Sequence, residues 1–278
     1  MDMAAQTTAA DGSMGIRCAA MPTLYAHRGA ASERPENTLA SFARALDLGA
    51  GALETDLHLT ADGHVVVAHD ATLARTAGVP VTIARATLDE LRRCDVGWGF
   101  VDRDGRRPFV GQGVRIPTLE EMLSEFPGVP VNVDVKQPGL VMVEATLAVL
   151  RRLDADDRVL VTSFDDATLR AVRARGDRGR TGSGPLDVLR LHSSPQALLS
   201  RQAFAGSAVQ VPPAMYGLRF DGAPFIERCH SLGLPVHYWT INDPAEAARL
   251  LDRGADGIMT DDPAAIAPVF ARRRAAPT

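Results

Sequence analysis

The sequence predicts an α/β protein: a single (β/α)8 TIM barrel with a small insertion after the second strand. Three observations carry this expectation. Eight short apolar, β-branched runs alternate with helical patterns, the order that gives a parallel sheet covered by helices. The length of 278 residues suits eight such units, since barrels of this kind run to about 250 residues. Polar and titratable residues gather at the C-terminal ends of the apolar runs, where barrel active sites lie.

The runs are 23–27, 52–59, 131–136, 159–163, 179–183, 208–211, 235–240 and 257–260. A helical pattern follows each one except the second, whose helix comes late, around 119–126. The fifth run is poor strand material because Arg180-Thr181-Gly182-Ser183-Gly184 carries two glycines. A doubly wound open sheet is the competing fold. It calls for a glycine-rich phosphate turn after the first strand, and His27-Arg28-Gly29-Ala30 has a single glycine. The stretch 71–117 is too long for a βα loop and has its own helical pattern at 87–93, so it reads as an insertion above the barrel mouth. The expected organisation is a flexible leader at 1–22, one domain at 23–270 and a frayed tail at 271–278.

Composition narrows the function. Hydrophobic residues make up 46% and charged residues 23%, and the mean hydropathy is -0.03, which describes a globular chain. Lys+Arg 30 against Asp+Glu 34 gives a net charge of -4, which argues against a nucleic-acid partner. Cys18, Cys94 and Cys229 are odd in number and scattered, with neither a disulfide framework nor metal-ligand spacing. The leader lacks the basic start and apolar core of a secretory signal. No run approaches the ~18 apolar residues of a membrane span. The expectation is a cytoplasmic protein without stable membrane insertion. Oligomeric state has no signal.

The residues that could carry chemistry lie at the run ends. Tyr25-Ala26-His27-Arg28-Gly29 ends an apolar run in an imidazole and a cation. In Ala52-Leu53-Glu54-Thr55-Asp56-Leu57, the period of two puts Glu54 and Asp56 on one face. Two buried carboxylates side by side repel each other and are costly to desolvate unless they are paired or hold a cation. All-oxygen ligation favours Mg²⁺ or Ca²⁺. The Asp62-Gly63 hairpin signal returns Val65-Val66-Val67-Ala68 to His69-Asp70, bringing His69 towards Glu54 and Asp56. His58 shares their parity but lies further out. In Asn132-Val133-Asp134-Val135-Lys136, Asp134 is either a third oxygen ligand or the ion-pair partner of Lys136, which could meet an anion at the mouth. Trp239 is either core filler or the apolar wall of a substrate pocket.

Taken in order, Ala26-His27-Arg28-Gly29, Pro35-Glu36-Asn37-Thr38, Glu54-x-Asp56, His69-Asp70, Asp134-x-Lys136, Trp239-Thr240-Ile241-Asn242 and Asp256 to Asp261 resemble the glycerophosphodiester phosphodiesterase family, bacterial cytoplasmic type. The resemblance runs from about Leu24 to Pro263, and the family's fold is the (β/α)8 barrel. It implies that His27 and His69 are the acid–base pair. Glu54, Asp56 and Asp134 become ligands of one divalent cation, Mg²⁺ or Ca²⁺, and Arg28 and Lys136 bind phosphate. The family more often has Glu where this chain has Asp134, which draws the ion back by about one methylene. The sphingomyelinase D-type phospholipases share the histidines and the triad, but they are secreted and disulfide-bonded. The implied activity is metal-dependent hydrolysis of small glycerophosphodiesters to an alcohol and sn-glycerol 3-phosphate. The alternatives are a phospholipase D-type lyase or transferase on lysophospholipids, with Trp98, Phe100 and Phe109 of the insertion as a lipid-facing patch, and a non-catalytic phospho-ligand-binding barrel.

Overall fold

The computed structural model describes residues 21–176, 180–199 and 204–275. Cys18, most of the expected leader and the last three residues lie outside these. The strands are β1 (Thr23–His27), β2 (Ala52–Leu59), β3 (Val65–Val67), β4 (Val131–Val135), β5 (Val159–Thr162), β6 (Arg180–Thr181), β7 (Val209–Val211), β8 (Ala214–Met215), β9 (Leu218–Arg219), β10 (Val236–Tyr238) and β11 (Gly257–Thr260). Eight of them form a curled parallel sheet in the order β6-β5-β4-β2-β1-β11-β10-β7. A parallel bridge between Gly182 and Ala208 joins its two ends. With helices outside, this is a (β/α)8 barrel.

The alternation of side chains along each strand decides what lies on either side of the barrel wall. Leu53 and Leu57 of β2, Val131, Val133 and Val135 of β4, and Val159 and Val161 of β5 face outward and are buried under helices. The helix Leu39–Asp47 inserts Phe42 and Ala45, and Leu140–Arg152 inserts Met142, Val143 and Leu147. On the other side of the barrel, Val236 and Tyr238 of β10 and Ile258 of β11 pack with Ile226, Leu250, Ile266 and Phe270 from the outer helices.

Most inward positions are polar, with Leu160 and Met259 as apolar exceptions. Gln210 donates from Nε2 to Asn132 Oδ1 at 2.9 Å, and Tyr25 stacks at 4.9 Å on His237. The interior is thus a hydrogen-bonded column beneath the mouth, and the main apolar cores lie outside the sheet.

Helix starts follow their caps. Thr38 accepts from Ser41 N at the start of Leu39–Asp47. Thr118 and Glu121 form a capping box before Leu119–Glu125, and Thr87 and Glu90 form another before Leu88–Arg92. The hairpin places β3 antiparallel to β2, with Leu57 opposite Val67. The insertion that follows has a core of its own, in which Val66, Leu73, Ile83, Leu88, Leu91, Val96 and Ile116 pack together.

Three details depart from the sequence expectation. The fifth barrel strand is only two residues long, because glycine follows it at once. A short hairpin, β8–β9, stands over the mouth after β7, carried by Gly217 with φ +80° and Tyr216 with φ 52°. The last helix runs through Ala275, past the expected fraying point, and Arg273 ties it to Ala248 O and Asp252.

Candidate active site

Parallel register assembles the site. His27 at the end of β1 lies opposite Glu54, and Asp56 lies opposite Asp134 across β2–β4. All four side chains therefore reach the mouth of the barrel, where they line a cavity of about 690 Å³ together with Arg28, His69, Lys136 and Trp239. Every site residue expected from the sequence is in this cavity. His58 is not among its lining. It is buried, and its Nε2–H donates to the backbone oxygen of His69 at 3.2 Å, so it braces the hairpin.

Both histidines are oriented by carboxylates. His27 Nδ1–H donates to Asp261 Oδ1 at 2.6 Å, and His69 Nδ1–H donates to Asp70 Oδ1 at 2.7 Å. Each ring is thereby held in the tautomer that leaves Nε2 free for proton transfer. Burial lowers the His27 pKa, but the Glu54 charge and the Asp261 hydrogen bond outweigh it, so the pKa lies above the ordinary histidine value.

The cations come next. After β1 the backbone turns through two left-handed residues, Arg28 with φ 58° and Gly29 with φ 85°. This swings the Arg28 side chain over the carboxylates. Arg28 Nη1 pairs with Glu36 Oε1 at 3.2 Å, and Nε lies 3.3 Å from Asp56 Oδ2. The second contact is an ion pair without hydrogen-bond alignment, so the buried Nε–H is left without an acceptor. Lys136 Nζ bridges Asp56 Oδ1 at 3.0 Å and Asp134 Oδ2 at 2.5 Å.

The carboxylates differ in their surroundings. Burial raises the Asp56 pKa, but Lys136, Arg28 and a 3.0 Å hydrogen bond from Asn37 outweigh it, and Asp56 stays ionised below the ordinary range. Glu54 has weaker partners, the Arg28 backbone N–H donating to its Oε2 at 3.3 Å and His27 Nε2 lying 3.8 Å from the same oxygen, and these do not offset its surroundings. Burial first, then the charges of Asp56 and Asp134, push its pKa far above the ordinary carboxylate range.

Among the described residues no three His, Cys, Asp or Glu side chains are gathered closely enough to hold a metal ion as they stand. Lys136 and Arg28 draw the two aspartates to themselves. The donor set nevertheless fits a hard divalent cation: three buried carboxylates converge, Glu54 lacks a strong cationic partner, and Asp134 Oδ1 is buried without a hydrogen bond.

The opposite wall is apolar. Trp239 meets Phe164 edge to face at 5.8 Å, and Val188, Leu189, Met215 and Leu218 continue the surface. The cavity thus has a charged floor against a hydrophobic wall.

The model of the glycerophosphoryl diester phosphodiesterase family matches residues 27–265. The chain belongs to this family. It is 31% identical over 250 residues to a glycerophosphodiester phosphodiesterase of Caldanaerobacter subterraneus subsp. tengcongensis, covering 87% of this chain and 96% of that protein. It is 27% identical over 265 residues to lysophospholipase D GDPD1 of Rattus norvegicus, covering 85% and 82%. The structure of an Oleispira antarctica phosphodiesterase, in complex with the product sn-glycerol-3-phosphate, superposes with a TM-score of 0.75 and 25% identity over 90% of this chain and 97% of that one. The chain is accordingly an enzyme, a phosphoric diester hydrolase of the glycerophosphodiester phosphodiesterase class.

Several members of the site have no role read for them in the sequence, although Glu36, Asn37 and Asp261 lie in motifs that carry the resemblance. Asp261 is 234 positions from His27. Its place directly after β11 is the clue that could have found it, since that is a strand end at the barrel mouth. Asn37 and Glu36 belong to a loop with no periodicity, and Arg75 lies in the insertion.

Proposed function

We propose that the protein hydrolyses glycerophosphodiesters to an alcohol and sn-glycerol 3-phosphate with the help of one divalent cation, Mg²⁺ or Ca²⁺. The observation that carries this reading is the pairing of two carboxylate-oriented histidines with Arg28 and Lys136 around three converging carboxylates. Glu54, Asp56 and Asp134 would hold the cation, which when bound supplies positive charge to the phosphate. The orphaned Arg28 Nε–H is available to a phosphate oxygen, and Lys136 Nζ, within reach of the same anion, offsets charge that builds up on it.

In this reading one histidine takes the proton of the glycerol 2-hydroxyl as that oxygen attacks phosphorus. The bond from phosphorus to the alcohol oxygen breaks, and the other histidine protonates the departing oxygen. Water then opens the resulting cyclic 1,2-phosphate. Attack by a neighbouring hydroxyl gains the high effective molarity of an intramolecular reaction. A glycerophosphocholine analogue with hydrogen in place of the 2-hydroxyl therefore turns over at least roughly a hundredfold more slowly. Equal kcat for the two substrates would instead mean direct attack by water.

The apolar wall favours a second substrate class, lysophospholipids. Phe164 is 61% exposed and Leu189 is 50% exposed at the rim, and the wall continues inward through Met215 and Leu218. A lysophospholipid with a free 2-hydroxyl meets the same catalytic groups while its acyl chain lies along this wall. Burial of each added methylene contributes about 0.8 kcal/mol, so kcat/KM rises severalfold per methylene across a short-chain series. A flat series restricts the enzyme to small polar diesters. Cytoplasmic placement fits the free thiols Cys94 and Cys229. Among the described residues no helix is long and apolar enough to cross a membrane.

A further inference from the structure

The insertion supplies no side chain to the acid–base, phosphate-binding or cation-binding groups named above. It does supply Arg75, whose guanidinium spans two carboxylates that serve different parts of the site. Nη1 donates to Glu36 Oε2 at 2.5 Å and Nη2 to Glu36 Oε1 at 2.8 Å. Nε donates to Asp70 Oδ2 at 2.8 Å. Glu36 Oε1 also receives Arg28 Nη1, and Asp70 Oδ1 receives His69 Nδ1. One arginine thus stands behind both a phosphate-binding cation and an acid–base imidazole, with a single carboxylate between it and each.

The backbone under Arg75 is fixed by the rest of the insertion. Its helix, Ala74–Ala77, is only four residues long and would not hold its place alone. Leu73, just before it, is buried in the insertion core. Gly99 N donates to Thr76 O at 2.7 Å. A Cβ on Gly99 would lie 2.2 Å from Arg75 O, so only glycine allows that approach. Gly78 ends the helix at φ +72°, where an added Cβ would lie 3.0 Å from the Trp98 indole. Trp98 thus braces this corner of the protein.

Half-exposed ion pairs contribute little to stability, and Arg75 is 48% exposed. What a planar, two-pronged guanidinium adds is orientation. We propose that Arg75 is a positioning residue that sets Arg28 through Glu36 and His69 through Asp70, and that holding it in place is a task of the insertion. The kinetic part rests on the diester hydrolysis proposed above.

The test compares Arg75→Ala, Arg75→Lys, Glu36→Gln and Asp70→Asn in the full chain. It uses steady-state kinetics on glycerophosphocholine with Mg²⁺ or Ca²⁺, and crystal structures of the wild type and the arginine variants. Glu36→Gln should act mainly on KM, because it loosens Arg28, and Asp70→Asn mainly on kcat, because it loosens His69. Arg75→Ala should move both, each by about tenfold or more, since small misplacements of reacting groups are costly. Adding Asp70→Asn to Arg75→Ala should lower kcat by less than the product of the single effects. Arg75→Lys, with one compact ammonium, should restore KM or kcat in part but not both. In the crystal of Arg75→Ala the Arg28 guanidinium and the His69 ring should leave their wild-type positions.

Arg75→Ala with kcat and KM both within twofold of wild type, independent effects in the double variant, or an undisturbed Arg28 and His69 would each overturn the proposal. If Arg75→Ala does not fold, Arg75→Lys decides by the same readings. A wild-type enzyme inactive on every glycerophosphodiester would remove the functional reading, and the crystallographic comparison would still decide whether Arg75 positions the two groups.

Discussion

His237 offers a test of the barrel interior that does not depend on catalysis. Its ring is 5% exposed, stacks on Tyr25 and lies so close to the Gly257 backbone that a Cβ there would meet it at 2.9 Å. Gln210 Nε2 is 3.4 Å from its Nδ1, which places the proton on Nε2 of a neutral ring. Burial pushes the pKa down from 6.5 to about 4, and the Asp256 charge offsets only part of this. As pH falls below 6.5 the unfolded chain takes up a proton that the folded chain refuses until about pH 4. The unfolded state therefore binds more protons in this window, and stability falls with pH. The contribution is complete above about pH 6.5 and lost by about pH 4. At 1.36 kcal/mol per pH unit it amounts to about 3 kcal/mol. His237→Gln cannot titrate, while every other acid-sensitive group is common to both proteins. For a chain of this size 1 kcal/mol moves Tm by about 2–4 °C. The Tm difference between wild type and variant, followed by calorimetry from pH 7.5 to 4, should therefore change by roughly 6–12 °C in the variant's favour. Parallel Tm curves would refute the reasoning and mean that the folded protein accepts the proton at an ordinary pKa.

Further expectations concern the site. Gly29→Ala places a Cβ 2.4 Å from Ser41 Oγ and 2.7 Å from Ser41 C at φ +85°. It should cost about 2–4 kcal/mol through overpacking and strain together, seen as a lower Tm and weaker phosphate binding because Arg28 adjoins it; an unchanged Tm would contradict the tight turn. Asp134→Asn removes one formal charge from the proposed cation set and should weaken Mg²⁺ or Ca²⁺ binding in calorimetric titration, whereas an unchanged titration would leave Asp134 as the partner of Lys136 alone. His27→Ala and His69→Ala should each lower kcat by roughly 10²–10⁴-fold, the usual worth of a positioned acid or base, with folding retained by circular dichroism. Near wild-type kcat in either variant would give that histidine a structural role.

Much of this architecture is legible in the sequence because strands and helices write different periods. The run Ala52–Leu59 appears as β2 with its expected limits, and Glu54 and Asp56 share a face by parity alone. His69 is found because Asp62-Gly63 turns the chain back on itself. The short β6 is harder to read: two residues next to glycine have no periodicity, and their pairing is imposed by β5 and the strand beyond. Arg75 and Asp261 are harder still, since their meaning lies in partners distant in the chain. An arginine in an insertion looks like solvated surface until Glu36, 39 positions away, is seen in its grip.

The closure of the barrel at Gly182 and Ala208 bears on how such an enzyme can change. The charged floor stands on β1, β2 and β4, whose ladders with one another and with β11 pair His27 with Glu54 and Asp56 with Asp134. Much of the apolar wall rises from the two sides of the seam, with Ser183 to Leu189 on one bank and Val211 to Leu218 on the other, where a lone bridge joins the short strands β6 and β7. The charged groups and most of the apolar lining thus stand on different strands of one ring. Under the proposed function, substitutions along the seam would remodel which alcohols or chains are accepted while the registry that aligns His27, Glu54, Asp56 and Asp134 is left alone, so diversification of substrate range would have a route that does not pass through loss of catalysis.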